Sequence, residues 1–262
     1  MYTSCNGLLL LGGLFGGRQR LVVCNPITLF YMMLPPPPIP GDFSWALVHD
    51  DSVRKYKVVG MITRNLNMMQ GGKSSHNGGY GRCFALTLGC SSSWRALVTY
   101  PELDSTWSRG VSANGKLHWL ARFYENGQRS EEGWLYSMDI ATEVFEKTPC
   151  PLPTKNSSFR FQEINGSLYS TVGLNEKIEI WVLKDWDTMA WTWLDTINLS
   201  YTPVAIADFP HPHGATKLIM RNGKELLSYD LQSQEMSHIA VKNKEFIPYC
   251  FECHVNSLVH WC

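Results

Sequence analysis

The stretch Ser112–Ala121, SANGKLHWLA, decides how this chain is read. Asn and Gly enter the left-handed backbone region most cheaply, so Asn114-Gly115 marks a tight turn. The residues that follow alternate in the manner of a β-strand, with Leu117 and Trp119 on one side of Lys116 and His118. The same signal returns at Asn6-Gly7, Asn165-Gly166 and Asn222-Gly223. The later copies are separated by roughly 50 residues, a period typical of repeated β-units. The first interval is about twice as long, so one marker is missing. Its place falls near Gly60 in YKVVGMIT, itself a strand candidate.

A second pattern accompanies the first. A run ending in a polar residue is followed by a short turn, another strand and often a Pro. It appears as LVVCNPITLFYMMLP from Leu21, FALTLGCSSSWRALVTYP from Phe84 and LYSMDIATEVFEKTP from Leu135. Two more copies are IEIWVLKDWDTMAWTWLDTI from Ile178 and LLSYDLQSQEMSHIAV from Leu226. Each reads as a hairpin. Short strands repeated at this period predict an all-β fold, a β-propeller of five or six kelch-like blades. SANGKLHWLA is then the turn and inner strand of one blade. The C-terminal CHVNSLVHWC resembles a lone strand, expected to pair with the N-terminal blade and close the ring. Trp94, Trp119, Trp181 and Trp191 are expected at comparable positions in successive units, packing blade on blade.

Composition agrees. The 262 residues carry 23 basic and 23 acidic side chains without a long run of either sign, so there is no electrostatic footprint for nucleic acid or anionic lipid. Aromatics reach 12%, including ten Trp, which suits wide sheets with large side chains between them. The eight Cys are scattered through a chain long enough to fold without disulfides, and read mostly as buried reduced thiols. The opening MYTSCNGLLLLGGLFGG lacks the basic start of a secretory signal. No segment has the length of uninterrupted apolar sequence that a membrane helix needs, so the expected location is cytoplasmic or nuclear.

At these residues the chain resembles the plant F-box-associated domain, a kelch-related propeller that follows the F-box in a large class of F-box proteins. The resemblance rests on Ser4-Cys5-Asn6-Gly7-Leu8, Asn25-Pro26 with Thr28, Tyr56-Lys57-Val58-Val59 and Trp94-Arg95. Further along it rests on Gly110-Val111, Asn114 to Leu120, Asp139 with Glu143 and Phe145, Ile180 to Leu183, Tyr229-Asp230-Leu231 and Ser257-Leu258-Val259. It implies a single domain over residues 1–262 and a role as the substrate-holding part of a cullin-RING ubiquitin ligase. In such a ligase the F-box grips a SKP-family adaptor and the propeller holds an as yet unknown target protein. Only Met1 to Thr3 precede the Ser4-Cys5-Asn6-Gly7 motif, so the F-box is absent from this sequence and the adaptor is a partner only if one is restored upstream. The Gly- and Met-rich stretch 64–82 is expected to be a flexible surface insertion.

Several motifs suggest chemistry and have plainer readings. Cys250-Phe251-Glu252-Cys253-His254 matches the haem-attachment pattern, but that chemistry needs export and a helical fold. With His260 and Cys262 the tail could be drawn as a zinc site, yet on an alternating strand these groups cannot all face one side. GGKSS at Gly71 lacks the first Gly of a phosphate loop, because Asn67 stands there; GGLFGG at Gly12 opens no helix. His211-Pro212-His213, two His held apart by Pro in a loop, read as surface residues. The Asn156, Asn165 and Asn198 glycosylation patterns matter only in a secreted chain. Pro35–Pro38 reads as an extended connector.

No motif assembles a nucleophile, a base and a group to orient it, so no cofactor, no metal and no catalysis are expected. The expected function is protein recognition by a monomer, through loops at one end of the blades. Insertion and polarity single out Arg64, His76, Tyr80, Arg122, Tyr124 and Arg129 as the contact residues. The alternatives are a propeller hydrolase acting on glycans, whose repeated Asp boxes are missing here, and a non-functional truncated product.

Overall fold

The structure, a computed structural model, describes residues 3–15, 18–64, 81–90, 92–100, 105–107, 109–125, 128–150, 158–164, 166–174, 176–198, 205–208, 217–222 and 225–239. Every regular element among them is a β-strand. Sheet 1 holds β1 (Thr3–Cys5), β2 (Leu8–Phe15), β3 (Arg18–Asn25) and β4 (Phe30–Met33) in that order. Sheet 2 holds β5 (Asp42–Asp50), β6 (Lys55–Arg64), β7 (Gly81–Thr87) and β8 (Arg95–Tyr100). In sheet 3, β9 (Ser105–Trp107) joins β10 (Val111–Ala113), β11 (Lys116–Glu125), β12 (Gln128–Asp139) and β13 (Phe145–Cys150) by pairing with β11. These three sheets lie in one compact unit of the chain.

A second compact unit holds sheets 4 and 5. Sheet 4 is β14 (Ser158–Ile164), β15 (Ser167–Leu174), β16 (Lys177–Asp185) and β17 (Ala190–Asn198). Sheet 5 is β18 (Ala205–Asp208), β19 (Lys217–Asn222), β20 (Glu225–Asp230) and β21 (Met236–Ile239). All the pairings are antiparallel meanders, as propeller blades require. The five hairpins expected from the second sequence pattern are β3–β4, β7–β8, β12–β13, β16–β17 and β20–β21.

Sheet 2 shows why the strands read as apolar runs rather than a clean alternation. Trp45, Leu47, Val58, Phe84 and Leu86 pack with Leu8, Leu10, Leu21 and Val23 of sheet 1. Their sequence neighbours Ala46, Val48, Val59, Met61, Cys83 and Ala85 pack instead with Leu117, Trp119 and Met138 of sheet 3. Both faces of an inner blade are dry, so both parities are apolar. Full burial of each Leu, Ile or Val contributes about 1.5–3 kcal/mol, which no blade could gain alone. In the second unit Ile178, Ile180 and Ile197 of sheet 4 meet Leu227 and Tyr229 of sheet 5 in the same way.

The turns explain the repeated Asn-Gly. Asn6 and Gly7 take φ of 48° and 86°, and Asn114 and Gly115 take 48° and 70°, so both central residues of each hairpin are left-handed. Gly166, with φ 80°, stands at the matching place between β14 and β15, while Asn165 lies outside the described residues. The fourth copy differs from expectation. Asn222 ends β19, so its turn joins the second and third strands of sheet 5 rather than the first and second, and Gly223 lies outside the described residues. An Asn-Gly turn suits any two-residue hairpin, and the even spacing there does not mark an equivalent position. The missing marker is also displaced: Gly60 sits inside β6, and the first turn of sheet 2 is Asp51–Arg54.

A stronger repeat lies in the third-to-fourth turns. Asn25 Oδ1 accepts from the N–H groups of Ile27 and Thr28. Asp139 does the same for Ala141 and Thr142, Asp185 for Asp187 and Thr188, and Asp230 for Gln232 and Ser233. Each turn ends in a residue with positive φ: Leu29, Glu143, Met189 and Gln234. Side-chain capping of the freed N–H groups is what Asn and Asp supply best.

The Trp residues are not equivalent. Trp119 is buried on the second strand of its sheet, Trp94 is half-buried between β7 and β8, and Trp181 and Trp191 are half-buried on the third and fourth strands of sheet 4. Trp45 takes the large core position that the spacing did not reveal. Its ring stacks on Phe43 with centroids 4.6 Å apart and covers Gly60 across the strand pair. Trp94 Nε1 donates to Pro35 O at 3.1 Å, which ties down the proline connector. The expected insertion is bounded by Arg64 at the end of β6 and Gly81-Arg82 at the start of β7; residues 65–80 lie outside the described set. So do His211, His213 and the whole tail 240–262, with its Cys-His motif and the expected closing strand.

Candidate functional site

An up-and-down sheet has two unlike ends. The first-to-second and third-to-fourth turns share one end, where Asn25, Asp139, Asp185 and Asp230 cap the turns that follow them. The second-to-third hairpins and the links between sheets share the other. By the strand bounds, the second-to-third connection is sixteen residues long in sheet 2 and two in each other sheet, so length varies at that end from sheet to sheet.

The expected contact residues divide accordingly. His76 and Tyr80 lie outside the described residues. Arg64, Arg122, Tyr124 and Arg129 were expected in loops and instead occupy strand positions close to the variable end of their sheets. The β11–β12 hairpin is longer than a loop reading allows. Tyr124 pairs with Arg129 across it, and Arg122 pairs with Gly133 of β12 and Thr106 of β9. The register shifts between Arg122 and Tyr124, a backbone irregularity of the kind found at sheet rims. Topology therefore brings Arg122, Tyr124 and Arg129 to one hairpin end, with Arg64 at the same end of the adjacent sheet 2.

The opposite end is occupied by charge. Lys57 Nζ lies 2.7 Å from Asp50 Oδ2 and 3.0 Å from Glu143 Oε1, and donates to Ile140 O at 2.8 Å. Arg95 closes the network on Glu143 at 2.7 and 2.8 Å. Sheet 2 supplies Asp50, Lys57 and Arg95; the capped turn of sheet 3 supplies Glu143. The Arg95 hydrogen bond, aided by Lys57 and against burial, holds the Glu143 carboxyl below its usual range. Burial opposes the charges of Asp50 and Lys57, but their mutual hydrogen bond and those to Ser52 and Glu143 leave the acid lowered and the ammonium raised. Four groups that satisfy one another make a brace between sheets and leave no acid or base to act on a substrate.

One pair resembles catalytic machinery. His118 Nδ1 is 2.8 Å from Ser137 Oγ, and Nε2 is 3.2 Å from Ala113 O. The carbonyl can only accept, so Nε2 carries the proton and Nδ1 accepts from the serine. Both residues are buried within sheet 3, where no substrate reaches them. Burial pushes the His118 pKa down to about 4, which keeps the ring neutral. Among the described residues no three His, Cys, Asp or Glu side chains gather as a metal site.

A blade-by-blade meander with an Asn-Gly turn and an Asx-capped turn agrees with what comparison with known proteins returns. Residues 1–262 match the family described as "F-box associated beta propeller domain". The chain belongs to that family. It is 27% identical over 157 residues to an F-box/LRR-repeat/kelch-repeat protein of Arabidopsis thaliana, covering 56% of this chain and 38% of the relative. It is 24% identical over 306 residues to the F-box protein CPR1 of the same plant, covering 100% of this chain and 68% of the relative. Among solved structures, a protein of unknown function from Bacteroides thetaiotaomicron superposes with TM-score 0.51 at 8% identity, over 89% of this chain and 55% of that one. The oligogalacturonate lyase of Vibrio parahaemolyticus gives TM-score 0.50 at 9% identity, over 84% and 59%. At these identities the two structures bear on the fold alone.

Within this F-box associated domain, the sequence reading missed two features. The Lys57 brace could have been suspected from a lysine in the apolar run YKVVGM, since a buried Lys needs a partner. The exposed apolar hairpin around β4 carried no warning, because apolar strands were read as core. Ile27, Leu29, Phe30, Tyr31 and Met33 are all exposed there.

Proposed function

We propose that this F-box associated domain is a non-catalytic recognition module, which holds a target protein for ubiquitination by a cullin-RING ligase. The family match along the whole chain, with F-box proteins as relatives, carries this reading. The chain spans 38% and 68% of those two relatives, so contact with a SKP-family adaptor is assigned to an F-box upstream in a longer product. The variable ends of sheets 2 and 3, with Arg64, His76, Tyr80, Arg122, Tyr124 and Arg129, form the first target surface. Two observations favour binding over catalysis. The charged cluster is self-neutralised at the capped end, and the His118–Ser137 pair is sealed. The domain acts as a monomer in the cytoplasm or nucleus, without cofactor.

Immunoprecipitation of the endogenous protein, with its intact mass, tests this. The expected product is heavier by one small helical domain, brings a SKP-family adaptor, and brings a target whose ubiquitin conjugates fall when the gene is deleted. A product of 29.8 kDa without the adaptor, whose loss alters no ubiquitin conjugate, overturns the ligase reading. Alanine at the six residues, one at a time, should weaken target binding without lowering the unfolding temperature. Unchanged affinity in all six variants removes that surface.

A further inference from the structure

Strand β4 ends the order of sheet 1, and no strand among the described residues pairs with its outer side. The direction of its main chain follows from the register. Val22 faces Met33, Val23 faces Met32 and Cys24 faces Tyr31, while the N–H of Leu34 donates to Leu21 O at 2.9 Å just beyond. Hydrogen-bonded and non-bonded pairs alternate in an antiparallel ladder, so Leu34 and Met32 turn their amide groups toward β3. Tyr31 and Met33 therefore turn their N–H and C=O groups outward, to the open edge.

The side chains there are equally open. Leu29 is 80% exposed, Tyr31 68% and Met33 57%. From Leu21 to Gly41 the sequence contains no charged residue. The fourth strand of sheet 3 contrasts with this, because β13 carries Glu146, Lys147 and Pro149, the usual guards of an exposed edge. An edge that carries no charge or proline and that no strand among the described residues covers is a template for another strand.

We propose that the outer edge of β4 docks an extended, uncharged segment of the target protein, which adds as a fifth strand of sheet 1. This rests on the reading of the domain as a recognition module and gives that module a second contact, of stated chemistry. Charge complementarity selects the occupant: a charged strand would leave its ions against Leu29, Tyr31 and Met33 with no counter-charge on the hairpin. Area excludes a second copy of this chain as the main occupant. Three large side chains at these exposures offer roughly 400 Å² in all, short of the roughly 800 Å² that each partner contributes to a stable interface. A linear segment of about six residues needs no more than this, since main-chain hydrogen bonds supply affinity and alternate side chains supply selectivity.

The test is selection of dodecapeptides from a display library on the full chain, followed by affinity measurement on synthetic copies. The expected winners are uncharged, alternating sequences. Their affinity should fall at least tenfold with Tyr31→Lys and with Met33→Lys, and should be unchanged with Val144→Lys, an exposed site elsewhere in the same unit. N-methylation at every second peptide residue, in one of the two phases, should abolish binding, because it removes the donors of one strand edge. No enrichment, or winners indifferent to both lysine variants, overturns the proposal. A concentration-dependent dimer abolished by Tyr31→Lys assigns the edge to a second copy and overturns it as well. Slow exchange of the Tyr31 and Met33 amides in the free chain means that the chain covers its own edge, with the same consequence. Loss of the adaptor and of ubiquitin conjugates from the endogenous complex refutes the ligase reading without touching these peptide results.

Discussion

Replacing Lys57 by Met should cost the unit containing sheets 1 to 3 more than any surface change. The Lys57 side chain is 7% exposed and its partner Asp50 2%, so the pair is out of water. Met fills similar volume but strands the Asp50 carboxylate with Ser52 as its remaining partner, and takes the donor from Ile140 O. Removing one member of a buried ion pair costs roughly 3–5 kcal/mol. At about 2–4 °C per kcal/mol for a unit of this size, the unfolding midpoint should fall by roughly 10 °C. Asp50→Asn should cost less, because Lys57 keeps Glu143 and Ile140 O. The double variant should be less damaged than the two losses added, with a coupling above about 1 kcal/mol. The sign of the pH dependence follows from the shifts. Asp50 and Glu143 are lowered, so their stabilisation is present above their unfolded values near 4 and is lost as pH falls through the folded ones. Lys57 is raised, so its share is present below its unfolded value and is lost as pH rises through the folded one. Urea and thermal unfolding followed by fluorescence of the buried Trp45 and Trp119 reads all of this. A loss under about 1 kcal/mol for Lys57→Met, or strict additivity in the double variant, would refute the view of this cluster as a brace.

Other expectations concern single positions. Gly60→Ala drives a Cβ into the six-membered ring of Trp45, so the ring or the strand must shift; a loss of about 1–3 kcal/mol with changed Trp fluorescence is expected, and a neutral outcome would show that Trp45 can move freely. Gly115→Ala has open space around its Cβ, so any loss comes from φ +70° alone; about 1–2 kcal/mol is expected, with Asn114→Gly nearly neutral in the same denaturation assay. His118 has a depressed pKa of about 4, so the unfolded chain takes up a proton between its own value near 6.5 and 4 that the folded chain refuses. Stability should therefore decline as pH falls across that window, and His118→Gln should flatten the decline in a pH series of urea midpoints.

The Asn-Gly turns and the alternation after them were legible because both are local: the backbone of Asn114-Gly115 and the parity of Leu117 and Trp119 depend on neighbours in the chain. The five later hairpins were legible for the same reason. Spacing proved a poorer guide to equivalence. Asn222-Gly223 falls in a different turn of its sheet, and Gly60 lies within strand β6, beyond the capped turn at Asp51–Arg54 that stands in the marker's place. The Asn25, Asp139, Asp185 and Asp230 caps were visible as letters, but their role appears only when the N–H groups they accept are seen.

By itself, then, the sequence determined the class of fold, the strand and turn chemistry of each repeat, and the family that follows from their order. Tertiary structure decided which parity of each strand faces which neighbour, which of ten Trp fill the core, and which charges meet. Lys57 and Glu143 are distant in the chain, and only the packing of sheet 2 on sheet 3 turns them into a brace. Tyr31 and Met33 are apolar strand residues like many others, and only their place at the end of a sheet leaves them exposed. Local conformational energies are written residue by residue, whereas burial and pairing belong to surfaces that exist only once the sheets have met.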